Sequence, residues 1–424
     1  MESKEFVRDV IDSIKGTVAN QNMWRKRQCL NMIAAENVTS PLLDSLAVSD
    51  FSHRYAEGWA GHRHYRGNQY TDEIEELAMD LFKKLFDARH VDLRPISGTV
   101  ANFAGFGSLA KRGDSMLCLS IPCGGHVSHT EHGAAGYMGL DSTSLPFDSY
   151  EMNIDVGATE ELIRELKPKF ILFGGSLFLF PHPVKELKPV CDELGIKMMY
   201  DGAHVLGLIA GKQFQQPLKE GVDLFSASTH KTFPGPQGGM LMTNSDQLFE
   251  KVKWKVFPKM VCNHHLHRLP CLAVAALEML EFGEAYARQT VANAQALAQA
   301  LHELGFHVLA EHKGFTQSHQ VVVDVTELGR GPVDEKMEKA NIIMNRNLLP
   351  RDASADMSSV DNPSGIRLGV QELTRWGLKE SDMLEVAQFF KRVLVDNEDP
   401  AKVRDDVIEL RSGFQKVHYC FDVE

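Results

Sequence analysis

Apolar positions along the chain fall into two alternating textures. From Thr71 to Phe86, TDEIEELAMDLFKKLF, they recur every three or four residues, which predicts an amphipathic helix. Short continuous runs follow: Ser115–Ile121 (SMLCLSI), Phe170–Phe173 (FILF), Lys197–Tyr200 (KMMY) and Met240–Met242, each read as a buried strand. Helical stretches, Ala158–Leu166 and Val184–Leu194, lie between them. Strands alternating with helices predict an α/β fold built on a mostly parallel sheet covered on both faces. After Phe282 the texture changes. A long helical region Gly283–Leu304, a strand Gln320–Val325, a Pro/Asp/Ser-rich loop Pro350–Pro363 and a helix Glu380–Val395 predict a smaller α+β domain. Residues 1–30 combine helical periodicity with many charges. The expected division is a helical arm (1–30), a large domain (31–282) and a small C-terminal domain (283–424).

Composition narrows the class of function. The chain has 424 residues, 43% of them hydrophobic and 24% charged, in the range of globular proteins and long enough for more than one core. A net charge of -12 argues against nucleic acid or an anionic membrane as partner, while leaving room for a local basic pocket. Seven scattered cysteines, none in a CxxC pair, suit a reducing compartment and offer neither a disulfide framework nor a zinc ribbon. The opening MESKEFVRDVIDSIKG is charged rather than a secretory leader, and no apolar run reaches spanning length. A cytoplasmic protein is expected.

In parallel sheets ligands gather at the carboxyl ends of the strands. Asp201 follows KMMY, where a carboxylate needs a cation or a strong donor to offset burial. Ser97-Gly98-Thr99 opens a helix whose first N–H groups can hold a phosphate. Gly124-Gly125-His126 places an imidazole against flexible backbone. Phe225–Met240, FSASTHKTFPGPQGGM, sets Lys231 among hydroxyls just before a turn that cannot continue a helix. Each has an ordinary alternative: an exposed turn lysine, a helix N-cap, a structural strand-end carboxylate. Together they supply an amine, a carboxylate, an anion cradle and a flat ring, the four groups that pyridoxal phosphate requires. Three further histidines (His264, His265, His267) have no metal-ligand spacing and read as a polar loop. The acidic run Glu73–Glu76 reads as a solvated helix start.

Along nearly its whole length the sequence resembles the glycine/serine hydroxymethyltransferases of the fold-type I pyridoxal-phosphate group. The resemblance rests on AAENVTS (Ala34–Ser40), HRYAEGWAGHRHY (His53–Tyr65), SGTVAN, GGHVSH (Gly124–His129), YDGAHVLGLI (Tyr200–Ile209), STHKT (Ser228–Thr232), NRNLLP (Asn345–Pro350) and SGIRLG (Ser364–Gly369). FGGSLFLFPHP and VFPKMVCNHHLH are closest in texture to archaeal members. The resemblance implies a seven-stranded, mostly parallel sheet and a homodimer or dimer of dimers. It implies pyridoxal phosphate as cofactor and an amino acid plus a reduced pterin as substrates. Lys231, Thr229, Glu57, Tyr65 and His204 would be catalytic. Tyr55, Ser97, Gly98, Thr99, His126, Asp201, His204, Ser228, His230, Lys231 and Asn263 would hold the cofactor. Ala35, Glu57, His64, Tyr65, His204, Asn347 and Arg367 would meet the substrates, and Tyr55, Glu57 and Tyr65 would come from the partner subunit.

Four positions depart from the family pattern. Ala35 stands where a substrate-contacting serine is usual, and His64 replaces the tyrosine that stacks on the pterin. Asn263-His264 replace glycines that many bacterial members present to the phosphate. The expected activity is reversible transfer of a one-carbon unit between serine and a reduced pterin, tetrahydrofolate or tetrahydromethanopterin. The alternative is pterin-free aldol cleavage or transaldol exchange of β-hydroxy amino acids. A non-catalytic scaffold would have to lack Lys231, Asp201 or Arg367, and all three are present.

Overall fold

The computed structural model describes residues 4–328, 332–352 and 363–422. The helices used below are α1 (Lys4–Gln21), α2 (Gln69–Phe86), α3 (Gly98–Leu109), α4 (Val156–Leu166), α5 (Val184–Leu194), α6 (Arg268–Glu303) and α7 (Glu380–Leu394). The large sheet contains β1 (His90–Asp92), β2 (Ser115–Cys118), β3 (Asp141–Ser144), β4 (Phe170–Gly174), β5 (Lys197–Asp201), β6 (Leu224–Ser228) and β7 (Gly239–Thr243). Its spatial order is 1-7-6-5-4-2-3. Strand β7 runs antiparallel to both neighbours, and the other adjacent pairs are parallel.

Every residue of β4 is buried, as expected of a continuous apolar strand in a sheet covered on both faces. Strand β6 carries a different pattern: LFSAS has two serines in five residues yet is wholly buried. Its Ser226 Oγ lies 2.7 Å from Asn102 Oδ1 and donates to it, which offsets the desolvation that otherwise keeps serine out of a core. Strands β1, β3 and β6 carry too little apolar signal to be predicted. The run from Ser115 stops as a strand at Cys118 because Ser120 O accepts two turn hydrogen bonds, from Cys123 and Gly125.

A second sheet holds β8 (His307–Val308), β9 (Gln320–Asp324), β10 (Asn345–Asn347) and β11 (Gly365–Gly369) in the order 8-9-11-10, antiparallel throughout. Helix α6 starts at Arg268 rather than 283, and at about 54 Å it is long enough to serve two cores. Cys271 to Ala287 pack in the core of the large sheet, and Ala294 to Leu301 in that of the small one. Of the loop Pro350–Pro363, Pro350–Asp352 form a single turn, and 353–362 lie outside the described residues.

The acidic run at the start of α2 is not solvated throughout, contrary to expectation. Glu75 is 3% exposed, with Arg63 Nη2 at 2.9 Å and His264 Nε2 at 2.8 Å from its Oε2. Arg63 also binds Asp72 at 2.7 Å and donates to the carbonyls of Ala56 and Gly58. The helix turns Glu75 inward under the 54–65 segment while Glu73 and Glu76 stay exposed. His264 is therefore a buried partner of a carboxylate, not part of a polar surface loop.

Candidate active site

The carboxyl ends of β5 and β6, the first turn of α3 and the loop after β2 enclose a cavity of about 190 Å³. Nine of the residues singled out in the sequence line it: Ser97, Gly98 and Thr99; His126; Asp201 and His204; Ser228, His230 and Lys231.

Asp201 ends β5 and is 6% exposed. Its Oδ2 accepts from Asn102 Nδ2 (2.8 Å) and His129 Nε2 (2.9 Å), and its Oδ1 from the Ala203 N–H (3.0 Å). Burial alone would raise its pKa, but the hydrogen bond and field of His129, with the Asn102 hydrogen bond, hold it far below the ordinary value. The result is a permanently ionised carboxylate inside the protein.

The anion cradle follows from helix geometry. Ser97 caps α3, its Oγ accepting from Val100 N at 3.1 Å, and the first N–H groups of a helix lack intrahelical acceptors. Gly98 is required by packing: a Cβ there would lie 2.4 Å from Ser228 Oγ. The first turn thus presents bare backbone and the positive end of the helix dipole.

Lys231 is fixed by its backbone. Its carbonyl accepts from Asn37 Nδ2 (2.7 Å), and Thr232 Oγ1 donates to His204 O (2.7 Å). Burial lowers the amine pKa to about 8; Asp201 opposes that shift and Arg367 adds to it. His230 is pushed down to about 4, first by burial and then by the field of Lys231. His126 likewise falls to about 4 through burial and its neighbour His129, and its Nδ1 lies 2.7 Å from Ser128 Oγ.

Arg367 comes from β11 in the second sheet and is 7% exposed. Nη1 donates to Ser176 O (2.7 Å) and Nη2 to Asn345 Oδ1 (3.3 Å), while its buried Nε has no partner among the described residues. No carboxylate pairs with it there, and burial lowers its pKa to about 10. A buried guanidinium with a free donor is built to receive an anion.

Other assigned residues lie elsewhere on this chain. Tyr55 and Tyr65 meet edge to face at 5.6 Å, 55% and 48% exposed, away from the cavity lining. Glu57 and His64 share that segment, His64 N donating to Glu57 O and its ring approaching Phe257. Asn263 is occupied by the same segment, accepting from Ala56 N (2.9 Å) and donating to Arg54 O (3.1 Å). Thr229 Oγ1 donates to Pro236 O at 2.6 Å and closes the turn, so its hydroxyl is not directed to the cavity. Ala35 lines an adjoining cavity of about 410 Å³ that shares His230. Asn347, on β10, donates to Leu348 O.

Sequence reading missed Asn102, His129, Ser226 and Gln320. The signal for the first two was available: SGTVAN and GGHVSH both end on a polar residue one helical turn or less from an assigned one. Ser226 and Gln320 sat inside strands, where a polar side chain gives no sign of its partner.

The serine hydroxymethyltransferase family model matches residues 9–390. A serine hydroxymethyltransferase of Thermococcus kodakarensis is 52% identical, the match covering 99% of this chain and 97% of that one. One of Methanocaldococcus jannaschii is also 52% identical, over 99% and 96% of the two chains. The crystal structure of an L-threonine transaldolase from Pseudomonas fluorescens, in its internal aldimine state, superposes with a TM-score of 0.89 at 30% identity, covering 99% of this chain and 95% of that one. The fold is accordingly that of fold-type I pyridoxal-phosphate enzymes, and the chain is an enzyme of the serine hydroxymethyltransferase family.

Proposed function

We propose that the protein interconverts serine and glycine, using pyridoxal phosphate as cofactor and a reduced pterin as one-carbon carrier. The observation that carries this reading is buried Arg367, which has no carboxylate partner among the described residues, acting electrostatically on the amine of Lys231, whose pKa is lowered to about 8. The residues present fit the cofactor. The bare first turn of α3 accepts a phosphate, Lys231 offers an amine to the aldehyde, and the His126 ring can lie against a planar heterocycle. When bound, pyridoxal phosphate supplies an electron-accepting ring through which a bond at the amino acid's Cα can be broken. Asp201, held ionised, keeps a proton on the ring nitrogen. Arg367 takes the amino-acid carboxylate through two parallel hydrogen bonds. Relatives named serine hydroxymethyltransferase at 52% identity favour the pterin-dependent activity over the transaldolase named at 30%.

In this reading Tyr55, Glu57, His64, Tyr65 and Asn263 serve the cavity of a second subunit. Support comes from the exposed Tyr55–Tyr65 pair, and from the uncovered apolar stripe of α1, where Ile11, Ile14 and Val18 are 45%, 59% and 56% exposed. Glu57 would exchange a proton with the substrate hydroxyl or pterin, and His64 and Asn347 would meet the pterin. The same reading keeps the division into arm, large and small domains at 30/31 and 282/283, and a cytoplasmic site of action. Among the described residues no helix is long and apolar enough to cross a membrane. The test is glycine formation from serine with tetrahydrofolate, with tetrahydromethanopterin and with neither. Serine turnover absent with both pterins, together with rapid cleavage of a bulkier β-hydroxy amino acid, would overturn the reading in favour of an aldolase or transaldolase.

A further inference from the structure

Gln320, the first residue of β9, is fully buried, and its amide has a determined orientation. Oε1 accepts from the backbone N–H of Phe178 at 2.7 Å, and a backbone amide can only donate. The NH₂ end is therefore the one that faces Ser176 O at 2.9 Å and His204 Nδ1 at 3.0 Å. A donor aimed at Nδ1 requires a lone pair there, so the ring of His204 carries its proton on Nε2. The same Ser176 carbonyl accepts from Arg367 Nη1 at 2.7 Å. One amide thus touches the loop 176–178, the imidazole that lines the cavity and, through a shared carbonyl, the guanidinium beside it.

We propose that Gln320 is a positioning residue: it holds His204 as the neutral Nε2–H tautomer, a fixed donor to an oxygen bound in the cavity, and it sets the angle of Arg367 through Ser176. This rests on the reading that the cavity binds pyridoxal phosphate and an amino acid. The surroundings demand such a device. His204 is 3% exposed and is faced by Lys231, Arg367, His319 and His126, with the His319 ring stacked at 5.8 Å. Burial first, and then those neighbours, keep its pKa well below the ordinary value. A neutral imidazole still has two tautomers, and only one of them donates from Nε2. His319 makes no hydrogen bond to His204: its Nε2 meets Ala34 O at 3.2 Å, and its Nδ1 has no partner among the described residues.

The test is the ¹⁵N spectrum of histidine-labelled, cofactor-loaded protein, with the His204 signals assigned by comparison with His204→Asn. Expected for the unaltered protein is one protonated Nε2 and one unprotonated Nδ1, unchanged from about pH 6 to about pH 9. Gln320→Leu removes the donor, and the two nitrogen signals should move toward a mixture of tautomers. Gln320→Glu places a carboxylate against Nδ1, so both nitrogens should be protonated near neutral pH, with a new titration in that range. In both variants the Michaelis constant for serine should rise roughly tenfold, the upper end of what the loss of one ordinary hydrogen bond costs. An Nδ1–H signal in the unaltered protein, or unchanged His204 signals in folded Gln320→Leu, overturns the assignment. The unaltered protein's spectrum decides the tautomer even where a variant fails to fold. A correct tautomer in a protein that does not convert serine would instead reject the proposed reaction and leave the positioning role standing.

Discussion

Two of the places where the molecule buries charge do so in opposite ways. Beneath the 54–65 segment, Glu75, Arg63, Asp72 and His264 form a closed set: Arg63 lies within 2.9 Å of both carboxylates, and the His264 ring lies 2.8 Å from Glu75. In the strand-end cavity and at Arg367, close enough to act on Lys231, cations outnumber anions. Asp201 is saturated by Asn102, His129 and Ala203, while among the described residues no carboxylate forms an ion pair with Lys231 or Arg367. Burying a charge costs several kcal/mol unless it is paired. A fold that leaves two cations unpaired gives up stability that a bound anion and a covalent partner could return. Burial by itself therefore does not mark a functional site. What marks it is incomplete pairing within a cavity.

The sharpest way to break this contrast is to remove the amine. Lys231→Ala should lower serine turnover by at least about a thousandfold, since among the described residues no other amine lines the cavity. Borohydride should fix the cofactor on residue 231 of the unaltered protein; labelling of another lysine, located by peptide mapping, would refute the assignment.

Next in size is damage to the closed set. Glu75 has its pKa lowered to about 2: burial pushes it upward, but His264 and Arg63 outweigh that. A carboxylate held below its ordinary value of 4.5 stabilises the fold fully above about pH 4.5, and that stability drains as pH falls toward 2. The shift corresponds to about 3 kcal/mol. Glu75→Gln should lose a similar amount in urea unfolding at pH 7 and flatten the dependence of stability on pH below 4.5. Unchanged unfolding would show that the closed set carries no stability, and the contrast with the cavity would fail.

The two regions also differ in how far the sequence discloses them. The cavity was legible because its parts are local and chemically unusual: a lysine among hydroxyls before a Gly-Pro turn, a carboxylate at a strand end, small residues opening a helix. The bounds of β4, β5, α4, α5 and α7 were legible to within two residues from apolar periodicity. Glu75 was not legible, because its partners come from a hairpin upstream and from a loop far downstream, and a helix carrying four acids in five positions reads as a solvent face. His129, Asn102 and Gln320 were hidden for the same reason. Each matters through a hydrogen bond to a residue distant in sequence, and pairing of that kind leaves no periodic trace. Strand β6 was missed because its buried Ser226 is satisfied by Asn102, a partner that only the fold reveals.

A smaller effect probes the open side of the contrast. Arg367→Lys keeps the charge but loses the fork, so the Michaelis constant for serine should rise about 30-fold, equivalent to about 2 kcal/mol. Turnover at saturation should fall less. An unchanged constant would place the carboxylate elsewhere and remove the reason for leaving Arg367 unpaired.

The smallest effect concerns the field that one unpaired cation exerts on the other. Lys231 titrates near 8 because it is buried, with Asp201 pulling its pKa upward and Arg367 pushing it down. A lowered value means that the neutral, nucleophilic amine is present above about pH 8, where an ordinary lysine would still be protonated. The rate at which cofactor-free protein captures pyridoxal phosphate, followed by the growth of visible absorbance, should therefore rise with a midpoint near pH 8. Arg367→Met removes a cation that disfavours the charged amine, so the midpoint should move upward, toward the ordinary lysine value, with burial still holding it below. Asp201→Asn acts in the opposite sense and should move it downward. A midpoint indifferent to both substitutions would mean that burial alone sets the amine, and that the three charges, although neighbours, do not form one electrostatic unit.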